Sequence, residues 1–288
     1  MEAAAARLRR EAGPVAADFT IDQRWSAYSP EEHARWDALT ARMMRLLPDR
    51  ASAAFLKATE SLALSEGGIP DLERLSDRLE SRTGWRVVGV PGLVPDEVFF
   101  DHLANRRFPA GCFIRDEDEM DYIEEPDIFH DVFGHVPLLA DPAYAAFIQA
   151  YGEGGLRAMK LGRLTELARL YWHTIEFGLV REAEGLRIFG AGIMSSPSET
   201  VFALEDPSPN RIEFDLERVM RTEYRIDDRQ QTYFVIESFD SLLEAAMADF
   251  GPIYARLADG AAFRPGEIAP GDRALHRGTM AAFGAKAA

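Results

Sequence analysis

Residues 163–182 read RLTELARLYWHTIEFGLVRE, and residues 124–136 read EEPDIFHDVFGHV. The first stretch is the strongest helical signal in the chain, since apolar residues recur at helical spacing over its whole length. The second is helical until Gly134 and Pro137 close it. Both carry potential metal donors in apolar surroundings, so they set the fold as well as the chemistry. Immediately downstream of the second, ADPAYAAFIQAYGEGG (140–155) starts a further helix at Asp141.

Moving outward toward the N-terminus, SPEEHARWDALTARMMRLLPD (29–49) predicts a helix. Ser29 is its N-cap, Pro30 its first residue, and Trp36, Leu39, Met43 and Leu46 lie on one face. Pro48 marks its end. A second helix is expected over residues 51–64, and GGIPDLERLSDRLESRTG (67–84) gives a turn followed by a helix capped at Asp71. WRVVGVPG (85–92) is a short strand candidate, PDEVFFDHLANRRF (95–108) a helix, and AGCFIRD (110–116) a second strand. On the C-terminal side, GLRIFGAGIMSSPSE (185–199) predicts a loop or paired short strands. TYFVIES (232–238) predicts a strand and SLLEAAMADFGPIYARL (241–257) one last firm helix. The sum is mainly α with a few short β-strands, in a single domain over residues 27–263. A mobile arm is expected at residues 1–26 and a loosely ordered tail at residues 264–288, where Gly, Pro and Ala dominate.

Composition narrows the function. The chain has 288 residues, 47% of them apolar, enough for a sizeable core. Its formal charge of -16 argues against a nucleic-acid or anionic membrane partner. One cysteine, Cys112, allows neither an internal disulfide nor a cysteine metal cluster, which fits a reducing cytoplasm. No apolar run is long enough to span a bilayer, and the N-terminus lacks the apolar segment of a secretion signal.

Two of only six histidines, His130 and His135, fall five residues apart in PDIFHDVFGHVP. On an ideal α-helix five residues turn about 500°, or roughly 140° net, so the two imidazoles would not share a face. Gly134 and Pro137 predict a distorted last turn that swings His135 toward His130. Glu176 lies among Tyr171, Trp172, Ile175, Phe177, Leu179 and Val180. A carboxylate so shielded needs a cation or several donors, and an arginine is the simpler partner. Taken together, two imidazoles and one carboxylate form the facial set that binds Fe(II) with coordination positions left open. Zinc uses the same donors, but the H-E-x-x-H spacing of zinc proteases is absent. Asp127, one turn before His130, is placed to orient an imidazole from outside the metal.

EEPDIFHDVFGHVPLL (124–139), LARLYWHTIEFGL (167–179) and FGAGIMSSPSE (189–199) together resemble the catalytic domain of the pterin-dependent aromatic amino acid hydroxylases, over roughly residues 28–257. The resemblance implies a helical basket around a mononuclear iron held by His130, His135 and Glu176. It implies tetrahydrobiopterin or a related tetrahydropterin as reducing cosubstrate, and O2 divided between substrate and pterin. By the same resemblance Arg115 clamps the substrate carboxylate. Pro126, Trp172 and Phe177 wall the substrate ring, and Gly192, Ser195 and Glu199 line the same side. Gly92, Leu93, Val94, Phe99, Ala168 and Tyr171 would bind the pterin, with Phe99 stacking on it. Ile123 departs from the threonine of the animal enzymes, and Asp131 from the usual glutamate beside the first ligand.

By the same resemblance, Trp172 stands where the tryptophan enzymes tend to have phenylalanine and Ile226 where the tyrosine enzymes tend to be acidic, which implies phenylalanine as the substrate over tryptophan or tyrosine. The expected reaction is therefore L-phenylalanine to L-tyrosine. Tyrosine or tryptophan hydroxylation is the nearest alternative, and a zinc hydrolase the more distant one. Without an N-terminal regulatory module or C-terminal heptads, the chain is expected to be a cytoplasmic monomer.

Overall fold

The computed structural model describes residues 14–121, 123 and 125–283. Helix α1, Pro30–Leu46, begins as its sequence predicts, with Ser29 and Glu32 closing a reciprocal capping box. Its Trp36, Leu39 and Met43 are buried. Helix α2, Ala53–Ser61, is shorter than the expected span at both ends, starting after the Ser52 cap and ending at Leu62. Helix α3, Leu72–Thr83, starts at the Asp71 cap and ends on Gly84, whose φ of 75° is the left-handed conformation that glycine tolerates best.

Strand β1, Arg86–Val90, is followed by α4, Asp96–Ala104, and by β2, Arg107–Gly111, which pairs parallel with β1 from Arg86↔Arg107 to Val90↔Gly111. The second strand thus lies three residues earlier than predicted. The chain returns as soon as α4 ends, and Pro109 is tolerated because a two-stranded sheet has open edges. Helix α5, Pro142–Leu161, packs on α4. A Cβ on Gly152 would stand 2.5 Å from the Ala104 nitrogen, and one on Gly155 would stand 2.0 Å from the Phe100 ring. These two glycines let the helices approach closely.

The two stretches that opened the sequence reading depart from α-helical geometry. Phe129–His135 is a π-helix, followed by a 3-10 turn at Pro137–Ala140. The expected long helix becomes α6, Leu164–Tyr171, then a second π-helix, Trp172–Glu176. It does not reach Glu182. Gly178 breaks it, and Leu179–Glu182 forms β3, antiparallel to β4, Gly185–Ile188.

Helices α7, Ala191–Met194, and α8, Pro197–Glu205, then occupy a segment expected as loop or strand. Ser196 caps α8 and Pro197 sits at its first position, a start signal hidden inside a Gly/Ser-rich run. The chain continues through β5, Asn210–Glu213, α9, Leu216–Met220, and β6, Thr232–Ile236. The single last helix of the sequence reading is two, α10, Phe239–Ala246, and α11, Phe250–Ala258, because Asp249 starts a new cap. With β7, Ala274–His276, the larger sheet has the order β4-β3-β6-β5-β7.

One buried cluster runs from Trp36 to Phe283, so helices and sheet share a core and form one domain. Neither end matches its expectation throughout. The described part of the N-terminal arm is tied down: Ile21 N–H donates to Gly89 O at 2.9 Å, and Trp25 Nε1 to Ile69 O at 2.6 Å. Residues 1–13 of that arm and residues 284–288 of the tail lie outside the described residues. From 264 to 283 the expected loose tail is packed instead. Arg218, 7% exposed, donates to Asp272, 5% exposed, at 2.9 Å, and Phe283 is buried against Phe202. Glycine and alanine content misled here because the segment is held by polar anchors and not by apolar periodicity.

Candidate active site

The first π-helix resolves the spacing of the two histidines. Hydrogen bonding from i to i+5 widens the turn and brings residues five apart toward the same side, so His130 and His135 meet edge to face, ring centroids 5.0 Å apart, without a terminal distortion. Their Nε2 atoms are 3.2 Å apart. The second π-helix delivers Glu176 opposite them, with Oε1 3.2 Å from His135 Nε2 and Oε2 3.7 Å from His130 Nε2. Neighbouring donors on a metal with bonds of about 2.1 Å are separated by about 3 Å, so the three atoms fit a shared cation. Burial alone would raise the Glu176 carboxyl, but the two imidazoles and hydrogen bonds from His135 and Tyr171 outweigh it and hold the group ionised.

Ser195 sets the tautomer of His130. Its hydroxyl donates to Ala191 O at 2.9 Å, and a hydroxyl has only one proton. It therefore accepts from His130 Nδ1–H, also 2.9 Å away, which leaves Nε2 unprotonated and able to donate to a metal. Burial keeps this imidazole neutral, lowering it to about 4. Gly192 permits the arrangement, since a Cβ there would meet Phe177 Cζ at 2.9 Å and Glu176 Oε2 at 3.1 Å.

Asp131 is a second acid close to the histidines, with a carboxylate oxygen within 4.8 Å of nitrogen atoms of both. Its Oδ2 accepts from Gly111 N–H at 2.8 Å, and burial raises it to about 7. Glu176 is closer and ionised, so it is the better third donor. Asp127 does not touch an imidazole, contrary to expectation. Its Oδ1 accepts from the His130 backbone N–H at 3.0 Å and from Arg115 Nη2 at 2.8 Å, while Oδ2 takes Arg115 Nε at 2.9 Å. The planar guanidinium matches both oxygens at once and wins them. Arg115 retains Nη1 outside this pair.

A cavity of about 410 Å³ opens beside His130, lined by Arg115, Ile123, Trp172, Phe177, Gly192, Ser195, Glu199 and Ile226 among others. Trp172 is fixed from two sides. It stacks on Tyr224 at 4.4 Å, and its Nε1 donates to Gln230 Oε1 at 2.8 Å. Phe177 lies 4.8 Å away at a tilt of 37°. Glu199 is buried and accepts from the Tyr233 hydroxyl. Pro126 is not part of this lining; its carbonyl oxygen lies 3.7 Å from where a Cβ on Gly111 would stand.

On the other side of His135, Phe99 meets Tyr171 edge to face at 6.0 Å, and Tyr171 lies 6.2 Å from the His135 ring. Gly92, with φ 138°, and the half-buried Val94 flank the highly exposed Leu93 in the turn after β1. Ala168 faces a separate open cleft of about 1170 Å³, which also reaches Ile226. Ile226 is 73% exposed and belongs to the rim more than to the wall. Sequence reasoning missed Tyr224, Gln230 and Tyr233. Their partners Trp172 and Glu199 were chosen, but contacts across more than thirty residues leave no local spacing signal.

The geometry is that of a metal-dependent enzyme with an aromatic pocket, and comparison with known proteins places it. A family model described as biopterin-dependent aromatic amino acid hydroxylase matches residues 5–255. The chain is 60% identical over 264 residues to a phenylalanine-4-hydroxylase of Caulobacter vibrioides, covering 92% of this chain and 90% of that one. It is 51% identical over 261 residues to that of Chromobacterium violaceum, covering 91% and 88%. A crystal structure of the Chromobacterium violaceum phenylalanine hydroxylase bound to cobalt superposes with a TM-score of 0.91 at 49% identity, covering 94% of this chain and 98% of that chain.

The chain belongs to the biopterin-dependent aromatic amino acid hydroxylase family. Its cofactors are accordingly non-haem iron and a tetrahydropterin.

Proposed function

We propose that this chain is a monooxygenase that converts L-phenylalanine to L-tyrosine with O2 and a tetrahydropterin, at an iron held by His130, His135 and Glu176. The observation that carries the reading is the convergence of these three donors at the edge of a cavity with aromatic walls and a buried arginine. The substrate follows the relatives that are phenylalanine-4-hydroxylases and cover most of their own length in the match.

When bound, iron and pterin supply oxygen activation and reducing equivalents; the chain supplies placement. Arg115, held rigid by Asp127, offers its remaining edge to the substrate carboxylate. Trp172 and Phe177 confine the ring beside His130 and exclude water from it. Ser195 keeps the His130 Nδ1 proton, so that Nε2 stays a donor to metal. Phe99 and Tyr171 provide aromatic surface on the far side of His135 for the pterin, with Gly92, Leu93 and Val94 in the adjoining turn and Ala168 one helical turn before Tyr171. Ile226 at the rim biases the pocket toward an unsubstituted ring. Such a pocket rejects an added hydroxyl weakly, so a slow reaction with tyrosine is expected. A cytoplasmic monomer is part of the same proposal, its single cysteine fitting a reducing compartment.

Oxygen uptake with phenylalanine, tyrosine and tryptophan in turn, each with ferrous iron and tetrahydrobiopterin, tests the assignment. Stoichiometric tyrosine from phenylalanine is expected; preferred turnover of another ring would reassign the substrate.

A further inference from the structure

An amino acid entering the cavity is a zwitterion, and Arg115 accounts only for its carboxylate. The cavity holds four acids, of which three are solvated or already engaged. Asp121 has a side chain 83% exposed and pairs with Arg42, Asp227 pairs with Arg225 at 2.8 Å, and Asp228 accepts from the Arg229 backbone N–H at 2.9 Å in an exposed turn. Charges so placed are screened and bind weakly.

Glu199 differs from them. It is 8% exposed, on the first turn of α8, and its carboxylate accepts from the Tyr233 hydroxyl. Tyr233 is itself fully buried in β6, so its hydroxyl has little freedom to turn elsewhere. Among the described residues no lysine or arginine forms an ion pair with Glu199, and Arg229 acts on it only through space, its guanidinium lying over the Phe202 ring at 4.8 Å. A buried carboxylate that faces a cavity with hydrogen bonds but no counter-cation is costly on its own and is relieved by a cation in that cavity.

Resting on the reading of this cavity as an aromatic amino acid site, we infer that Glu199, oriented by Tyr233, is the anchor for the substrate α-ammonium. Arg115 and Glu199 together then select α-amino acids over simple aromatic acids. Neither residue takes part in bond making; both fix the substrate so that its ring, and not its backbone, faces His130.

The test compares L-phenylalanine with 3-phenylpropanoate, which has the same ring and carboxylate but no ammonium. Binding of each to the ferrous holoenzyme is measured by anaerobic calorimetry for the parent, Glu199→Gln and Tyr233→Phe, with circular dichroism checking the fold. The parent should prefer phenylalanine by at least about tenfold. Glu199→Gln should weaken phenylalanine by about ten- to a hundredfold while leaving 3-phenylpropanoate within about twofold, so the preference collapses. Tyr233→Phe should produce the same selective loss in smaller measure. An undiminished preference in Glu199→Gln overturns the inference, as does an equal loss for both ligands, which would mark a structural role. A parent that hydroxylates phenylalanine without distinguishing the two ligands overturns this inference alone. A parent that hydroxylates no aromatic amino acid overturns the functional reading with it.

Discussion

The hydroxyl of Ser195 decides what His130 can do, because its single proton is already given to Ala191 O. Ser195→Ala should therefore release the imidazole to rotate or change tautomer. Iron affinity should fall by about ten- to a hundredfold, measured by anaerobic ferrous titration. An unchanged affinity would mean that packing alone orients the ring. At this scale part of the candidate site was legible in the residues themselves: few histidines and an isolated acid among aromatic residues mark His130, His135 and Glu176, which the fold brings together, whereas Arg115 in its acidic run entered only through the family resemblance. What could not be read was who partners whom. Asp127 was expected at an imidazole and instead holds Arg115, since a fork of two N–H groups outcompetes one ring nitrogen. Tyr233 and Gln230 carry no local mark at all, because their roles arise from strand β6 and its approach passing behind Glu199 and Trp172.

Both proposed ligand segments are π-helical, and periodicity at 3.6 residues cannot announce that. The spacing of five between His130 and His135 was the available clue, and it pointed to the need for a bend without revealing that a wider helix satisfies it. Caps were more reliable. Ser29, Asp71 and Asp141 each start the helix expected of them, because a side-chain acceptor before an apolar repeat is a local signal. Strand and loop assignments fared worse, and β7 in particular depends on a partner far away in sequence, with Arg211 opposite His276.

Close approach of elements is the other feature sequence conceals. Gly155→Ala would drive a Cβ into the Phe100 ring at the α4–α5 contact. A loss of about 1–3 kcal/mol is expected by chemical denaturation. Pterin affinity should fall as well, because Phe99 is carried on the same turn as Phe100. A variant as stable as the parent would show that the ring has room to move.

Over the whole molecule, stability should depend on acid through buried neutral imidazoles. His173 faces away from the metal donors, against Phe234 at 5.2 Å and Thr222 O at 3.2 Å, and burial lowers it to about 4. Its folded value lies below the unfolded one near 6.5, so its neutral form is costless above pH 6.5 and loses ground as pH falls toward 4. Integrated over that window, up to about 3 kcal/mol should be lost. Denaturation midpoints followed from pH 7 to 4 should be flatter for His173→Asn; equal slopes would place the acid sensitivity elsewhere.

The C-terminal segment contributes to the same global stability. Arg218 is sandwiched between Asp272 and the Phe263 ring, 4.0 Å from its guanidinium carbon. Removing the carboxylate in Asp272→Ala would strand a buried cation at a cost of about 3–5 kcal/mol. No loss would return the tail to the loose state its composition suggested.

The central claim is that His130, His135 and Glu176 hold the iron that hydroxylates phenylalanine. The most direct measurement is tyrosine formed per ferrous ion bound, for metal-stripped parent protein reconstituted anaerobically and for Glu176→Ala treated identically. One tightly bound iron per chain and tyrosine production that tracks it, both lost in Glu176→Ala, is the result predicted. Iron-independent tyrosine formation, or a Glu176→Ala protein that binds iron and turns over like the parent, would contradict it.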